Sequence, residues 1–284
     1  MKNCLTIAGS DCSGGAGIQA DLKPFSALGC YGMSIITSVF AENTHALLSS
    51  MSVSQEVIAD QLEAVFSDIR VDAVKIGVLP DTGAMRAVAA ALFKYKPEIV
   101  VCDPVIAATA GGELMNSSAL GAFINGIIPL CSLLTPNIPE AETLLSCHIE
   151  NVTDMKAAAL SLFAHGAGAV LIKGGHLTGD ATDVLFDGKE FSIFTHERLD
   201  RKSTHGTGCT LSSAIAAYQA QGKPLPEAVS LAKDYLTGAI EHGLDIGNGH
   251  GPTDHFYRLF PERNFALRSR TMDLLHFMRM QGYG

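Results

Sequence analysis

Four clusters along the chain set glycine beside acidic, basic or thiol side chains at spacings that could do chemistry. Gly9-Ser10-Asp11-Cys12-Ser13-Gly14-Gly15-Ala16-Gly17 holds four glycines in nine residues. That is more than a turn requires. Glycine lets backbone N–H groups come close to a ligand, and Asp11 adds a polar anchor. The plain alternative is a flexible turn. The second cluster, His205-Gly206-Thr207-Gly208-Cys209-Thr210, runs into an apolar helical pattern. Unpaired N–H donors at the positive end of a helix dipole make an anion hole for a transferring phosphoryl group. The same field should favour a Cys209 thiolate. Here the alternative is a helix start with a buried cysteine.

The third cluster is Thr135-Pro136-Asn137-Ile138-Pro139-Glu140, followed by Glu142. Asn137 and Glu140 share a helix face. They could hold Mg²⁺ through waters, since that ion keeps most of its hydration. A carboxylate in a first helical turn also stabilises the helix by itself, which suffices for Glu142. The fourth cluster is Lys173-Gly174-Gly175-His176, with Asp103-Pro104-Val105 upstream. Lys173 could meet nucleotide phosphates and Asp103 could join the metal. Either could equally be a solvated strand-end charge.

These clusters need elements to position them. Near-continuous apolar runs predict strands at Cys4–Ala8, Met33–Val39, Ala73–Ile76, Ile99–Cys102, Ser132–Leu134 and Ala169–Lys173, as expected when both sheet faces are covered. Helical patterns lie between them, from Ser54 to about Ile69, then Asp81–Tyr95, Met155–His165, Leu211–Gln221 and Pro226–His242. This alternation predicts an α/β fold with right-handed crossovers. In it, ligands bind at the carboxyl ends of strands, where the first cluster falls. Val184–Phe194 differs, because Asp187-Gly188 between two apolar runs reads as a hairpin at a sheet edge. Residues 261–284 carry a helical pattern through Met272, Leu275, His276, Phe277 and Met280. They form a tail that could pack on the domain or a partner, or fray.

Composition removes other classes. The 284 residues are 47% hydrophobic and 17% charged, with net charge −9, enough for one large domain. No run reaches the ~18 apolar residues of a membrane span. The N-terminal apolar run is too short for a secretory leader. No stretch is basic enough for a phosphate backbone, and Trp is absent, which argues against nucleic acid. Seven cysteines without a CxxC pair fit a reducing cytoplasm rather than disulfides or zinc. Walker A, GxSxG, HExxH and an early GxGxxG are all missing from the sequence, so P-loop, α/β-hydrolase, zincin and ordinary dinucleotide readings lose their support.

Taken together, GSDCSGGAGIQADLKPFSALG, KIGVL, TPNIPEAE, KGGH and HGTGCTLSSA, in this order over about residues 3–260, resemble the hydroxymethylpyrimidine/phosphomethylpyrimidine kinases of thiamine biosynthesis. These belong to the pyridoxal-kinase-like branch of the ribokinase superfamily. The resemblance implies a ribokinase-like three-layer α/β/α domain over residues 1–260, with a mostly parallel sheet and a small antiparallel edge. It implies ATP- and Mg²⁺-dependent phosphorylation of an aminopyrimidine alcohol and then of its monophosphate. It puts Cys209 where many ribokinase relatives carry the aspartate base, with Gly206, Thr207 and Gly208 forming the catalytic anion hole. Asn137 and Glu140 fall in the Mg²⁺–phosphate region, joined by Asp103. Lys173, Gly175, His176 and Lys233 lie by the nucleotide. Gly9, Asp11, Glu42 and Val78 line the pyrimidine pocket. A homodimer is expected, with no fused second enzyme.

The chain departs from the pattern in three places. Many relatives carry Gln where Glu42 stands and Met where Val78 stands, and Ile106–Ala110 replaces a usual polar stretch. The first two bear on substrate choice. Pyridoxal or pyridoxine kinase is therefore the alternative activity, since it shares every motif. A non-catalytic nucleotide or pyrimidine binder is a third reading, opposed by intact HGTGC, NxxE and KGGH.

Overall fold

A computed structural model describes residues 1–107, 114–115, 117–175, 177, 179–199, 201 and 205–260. Residues 261–284, where a helical tail is expected, lie outside the described residues, as do His176 and part of the Ile106–Ala110 stretch.

The strands are β1 (Lys2–Asp11), β2 (Cys30–Glu42), β3 (Leu47–Ser52), β4 (Ala73–Ile76), β5 (Val100–Cys102), β6 (Leu133–Leu134), β7 (Val170–Ile172), β8 (Ala181–Phe186) and β9 (Phe191–His196). They form one sheet in the order β3-β2-β1-β4-β5-β6-β7-β8-β9. The run from β2 to β7 is parallel. The expected hairpin is present, with β8 antiparallel to both β7 and β9. A second antiparallel edge, β3 on β2, escapes the sequence reading. Its residues LLSSMS are mostly exposed and lack alternation.

Successive side chains on a strand face opposite sides, and the two cores follow that rule. Leu5, Ile7, Val74, Ile76, Val100 and Cys102 pack on one face. There they meet α2 (Gln55–Phe66), α3 (Thr82–Tyr95), α4 (Leu120–Gly126), α5 (Ile138–Leu145) and α6 (Val152–Ala164). Cys4, Ala73, Val101, Leu133 and Leu171 face the other side. They pack under α1 (Gly17–Ala27), α7 (Thr207–Ala220) and α8 (Leu225–Glu241). This is the three-layer α/β/α arrangement of ribokinase-like kinases.

Caps explain several helix starts. Ser54, Asp81 and Asn151 each accept backbone N–H bonds at their helix N-termini, as short polar side chains do there. Three boundaries differ from the sequence reading in ways that matter for the site. β1 continues through Gly9–Asp11, so these residues end a strand rather than open a loop. β2 runs on to Glu42. And α7 begins at Thr207 rather than Leu211. Gly208 and Cys209 are therefore inside its first turn.

Candidate active site

The carboxyl ends of the parallel strands open into a cleft of about 750 Å³. Of the residues expected at the site, Asp11, Glu42, Val78, Asp103, Asn137, Glu140, Lys173, Gly175, Gly206, Thr207, Gly208, Cys209 and Lys233 line it. Gly9 does not. It lies buried against β2, where an added Cβ would fall 2.2 Å from Phe40 Cε2. Its smallness serves strand packing. His176 lies outside the described residues.

Asp11 is a loop organiser more than a ligand anchor. Its Oδ1 accepts from Ser13 N at 2.7 Å, and its Oδ2 accepts from Ser13 Oγ at 2.9 Å, Gly15 N at 3.1 Å and Ala16 N at 2.8 Å. His205 Nε2 lies 3.1 Å from the same Oδ2. Burial pushes this carboxyl up, but the bonds from His205, Ser13 and Ala16 outweigh it and hold Asp11 at about 2. The bond to Asp11 in turn raises His205 against the opposing effect of burial. The pair spans 194 residues of sequence and joins the two glycine clusters. Contact between them is close. A Cβ on Gly15 would lie 2.1 Å from His205 Cδ2, and one on Gly206 would lie 1.9 Å from Gly15 O. Gly206 also has φ +76°, a left-handed conformation that favours glycine.

Glu42 completes this corner. Carboxylate and imidazole atoms of Asp11, Glu42 and His205 all lie within 4.8 Å of one another. Burial and the Asp11 charge push the Glu42 carboxyl up, against the pull of His205. Val78, also buried, lines the same cleft.

The start of α7 carries no side-chain cap. The N–H groups of Thr207, Gly208 and Cys209 therefore have no partner within the helix, as in any first turn. These open donors lie where an anion hole is expected. The expected Cys209 thiolate is corrected: burial, with Asp21 and Asp103 nearby, pushes the thiol up to about 11 despite the Lys75 charge and a bond from Gly17 N–H. At neutral pH Cys209 keeps its proton.

Sequence reasoning assigned no role to Lys75 or Asp21, although both lie inside quoted motifs. Lys75 lines the cleft floor from full burial, and its Nζ is 2.8 Å from Asp21 Oδ1. A strand lysine in an apolar run gives no sign of its partner 54 residues away.

Beside Gly208, Lys173 Nζ donates to Asp103 Oδ1, and Glu140 Oε2 is 4.0 Å from the same ammonium. Asn137 and Glu140 form a reciprocal cap on α5. Glu140 N donates to Asn137 Oδ1 at 2.9 Å, and Asn137 N donates to Glu140 Oε2 at 2.7 Å. Burial raises Glu140 to about 7, with Lys173 opposing and Asp103 adding to the rise. Glu142 does not serve the helix start. It accepts from Ile149 N at 2.8 Å and pairs with His148.

At the far end of the cleft, Lys233 is already engaged. Its Nζ donates to Asp183 Oδ2 at 2.7 Å, while Asp183 Oδ1 accepts from Gly174 N at 2.9 Å. Lys233 thus fixes the Lys173–Gly175 turn rather than presenting a free ammonium. Arg198, unassigned from sequence, donates to the Gly175, Leu177 and Gly179 carbonyls at 2.7, 2.5 and 2.7 Å.

Comparison with known proteins shows what the chain is similar to. A family model described as phosphomethylpyrimidine kinase matches residues 11–254. A hydroxymethylpyrimidine/phosphomethylpyrimidine kinase of Rhizobium meliloti is 47% identical over 258 residues, covering 89% of this chain and 97% of the relative. A thiamine biosynthesis bifunctional protein of Geobacter sulfurreducens is 49% identical over 252 residues, covering 88% of this chain and 51% of that protein. The chain thus spans about half of the bifunctional relative. Among solved structures, an ADP complex of Bacillus subtilis pyridoxal kinase superposes with TM-score 0.84 at 36% identity, covering 91% of this chain and 99% of that one.

Asp11 gives a test of the loop geometry. Its carboxyl is depressed in the fold, so its stabilisation is full above its ordinary value of 3.8 and is lost as pH falls through about 2. Asp11→Asn should cost about 2 kcal/mol at neutral pH. In denaturant titrations the gap between variant and wild type should close between pH 4 and 2. A gap that is the same at every pH contradicts the assignment.

Proposed function

The chain belongs to the phosphomethylpyrimidine kinase family, and from that membership we propose that it transfers the γ-phosphoryl group of ATP to the hydroxymethyl group of an aminopyrimidine, and then to the resulting monophosphate. The observation that carries this reading is the uncapped start of α7, which faces the same cleft as Glu42, Asp103 and Lys173. Donors aimed at developing charge, in a site that excludes water, are the main catalytic resource in phosphoryl transfer.

Each residue then has a task. The N–H groups of Thr207, Gly208 and Cys209 stabilise charge on the transferring group. Cys209 holds its thiol beside the attacking hydroxyl. Protonated at neutral pH, it positions that hydroxyl, whose proton passes late to an oxygen of the transferred phosphoryl group, because a loose transition state asks little of a base. Lys173, held on Asp103, meets the phosphates.

Oxygen donors around Gly208 fit a hard divalent ion. A Cβ there would lie 3.0 Å from Asp103 Oδ2 and 3.2 Å from Lys173 Nζ, so glycine leaves room for a small ligand. Asp103 and Glu140 would hold Mg²⁺, whose bound charge would neutralise phosphate oxygens. Binding it favours ionised Glu140 over the protonated acid that burial promotes.

Substrate choice centres on Glu42. Its burial favours the neutral acid, which accepts from the pyrimidine 4-amino group and donates to the adjacent ring nitrogen. Pyridoxal presents a phenolic oxygen there instead, which offers Glu42 no amino N–H to accept from. The similarity to a pyridoxal kinase keeps that activity as the second reading.

No described helix is long and apolar enough to cross a membrane, and the reading expects a cytoplasmic enzyme. It also expects a homodimer. Leu48, Met51 and Val39, exposed on the β2–β3 edge, offer apolar surface to a second copy.

Two measurements test this. Cys209→Ala should keep ADP affinity while turnover falls ~10²–10⁴-fold, and wild-type turnover would sink the assignment. For Glu42, kcat/KM should favour the aminopyrimidine alcohol over pyridoxal on the order of 10²-fold in the wild type. Glu42→Gln should widen that margin, since glutamine makes both bonds without a proton. If pyridoxal is the better wild-type substrate, the second reading replaces the first.

A further inference from the structure

Among the described residues, the largest charged side chain buried without solvent contact is Lys75. Its partner Asp21 binds four structural elements at one point. Lys75 Nζ on β4 lies 2.8 Å from Asp21 Oδ1 and 2.9 Å from Oδ2. Thr6 Oγ1 on β1 donates to Asp21 Oδ2 at 2.6 Å. Ser213 Oγ on α7 donates to Asp21 Oδ1 at 2.7 Å. Asp21 itself lies on α1. Thr6, Asp21, Lys75 and Ser213 are all fully buried.

This cluster lies directly behind the proposed transfer site. Ser213 is one helical turn after Cys209 on the same face of α7. A Cβ on Gly77 would fall 2.9 Å from Lys75 Nζ, so glycine there leaves room for the ammonium at the cleft. Lys75 and Cys209 both line the cleft, and each acts electrostatically on the other.

Stability does not account for such a pair. Two apolar residues of similar volume are often as stable as a buried ion pair or more so, whereas removing one partner costs several kcal/mol. What the pair supplies is a fixed charge and a fixed anchor.

We propose that the Lys75–Asp21 pair is a positioning unit for phosphoryl transfer: Asp21 anchors the first turns of α7 through Ser213, and Lys75 holds an immobile positive charge beneath Cys209 and the transferring group. This rests on the reading of Cys209 as the residue beside the reacting hydroxyl. A pinned charge at the cleft floor acts where negative charge builds during transfer and needs no reorganisation. It does not touch the nucleotide base or the pyrimidine ring, so it changes turnover more than binding.

The test compares Lys75→Met, Asp21→Asn and the double variant Lys75→Met/Asp21→Asn with wild type, using whichever alcohol the wild type phosphorylates. Each single variant leaves a lone buried group and should lower Tm. The double variant leaves no lone charge and should recover most of that Tm. Its kcat should stay at least ~10-fold below wild type, with KM for ATP and alcohol within about 3-fold. A pair that is merely structural predicts the opposite, with kcat returning together with Tm. A double variant at wild-type kcat, or one whose deficit lies in KM alone, overturns the proposal. If a single variant fails to fold, the double variant carries the comparison alone. Absence of wild-type turnover with any alcohol is a separate result, and it overturns the kinase reading rather than the role of the pair.

Discussion

The hydrogen-bonded contact between Asp11 and His205 is the constraint on which the rest of the site depends. One carboxylate, at the end of the first strand, orders the glycine turn that follows it and grips the histidine that precedes α7. Because Gly15 and Gly206 touch backbone to backbone, the two turns form one surface. The uncapped helix start can then face Glu42 on one side and Asp103 on the other. Without the contact, two glycine turns on neighbouring elements would have no fixed relation, and neither would the pocket and the anion hole.

A second feature is how densely charge is paired around the cleft. Asp11 is tied to His205, Asp21 to Lys75, Asp103 to Lys173 and Asp183 to Lys233. Each pair joins two segments far apart in the sequence. Burying charges costs free energy unless partners and further hydrogen bonds satisfy them. Here those bonds also fix where each loop sits. Glu42 and Glu140, which lack so close a cationic partner, are the carboxyls that burial pushes upward. Both face the cleft, where a substrate amine or a metal ion is the partner that chemistry calls for.

Much of this was legible in the sequence. Apolar runs and capped helical patterns gave the parallel sheet, the edge hairpin and most helices, because buried strands and amphipathic helices leave periodic traces. The motifs named most of the residues that line the cleft, but not Asp183, His196 and Arg198, nor Leu236 and Ile240 on α8. What escaped depends on contacts between distant elements. Gly9 looks like a ligand loop until Phe40 is found against it. Asp11 and Lys233 look free until His205 and Asp183 supply their partners. Cys209 at a helix start suggests a thiolate until burial and two nearby carboxylates are counted. Strand β3 escaped because an exposed edge of serine and leucine carries no buried face to impose alternation.

The central claim is that these loops form one site that phosphorylates an alcohol and then the phosphate it has made. Phosphorus NMR of the protein with ATP, Mg²⁺ and the aminopyrimidine alcohol follows both steps in one sample. The account predicts a phosphomonoester signal that rises first, then falls as diphosphate signals of the pyrimidine product grow. ADP and inorganic phosphate as the only new species, with the alcohol unchanged, would contradict it.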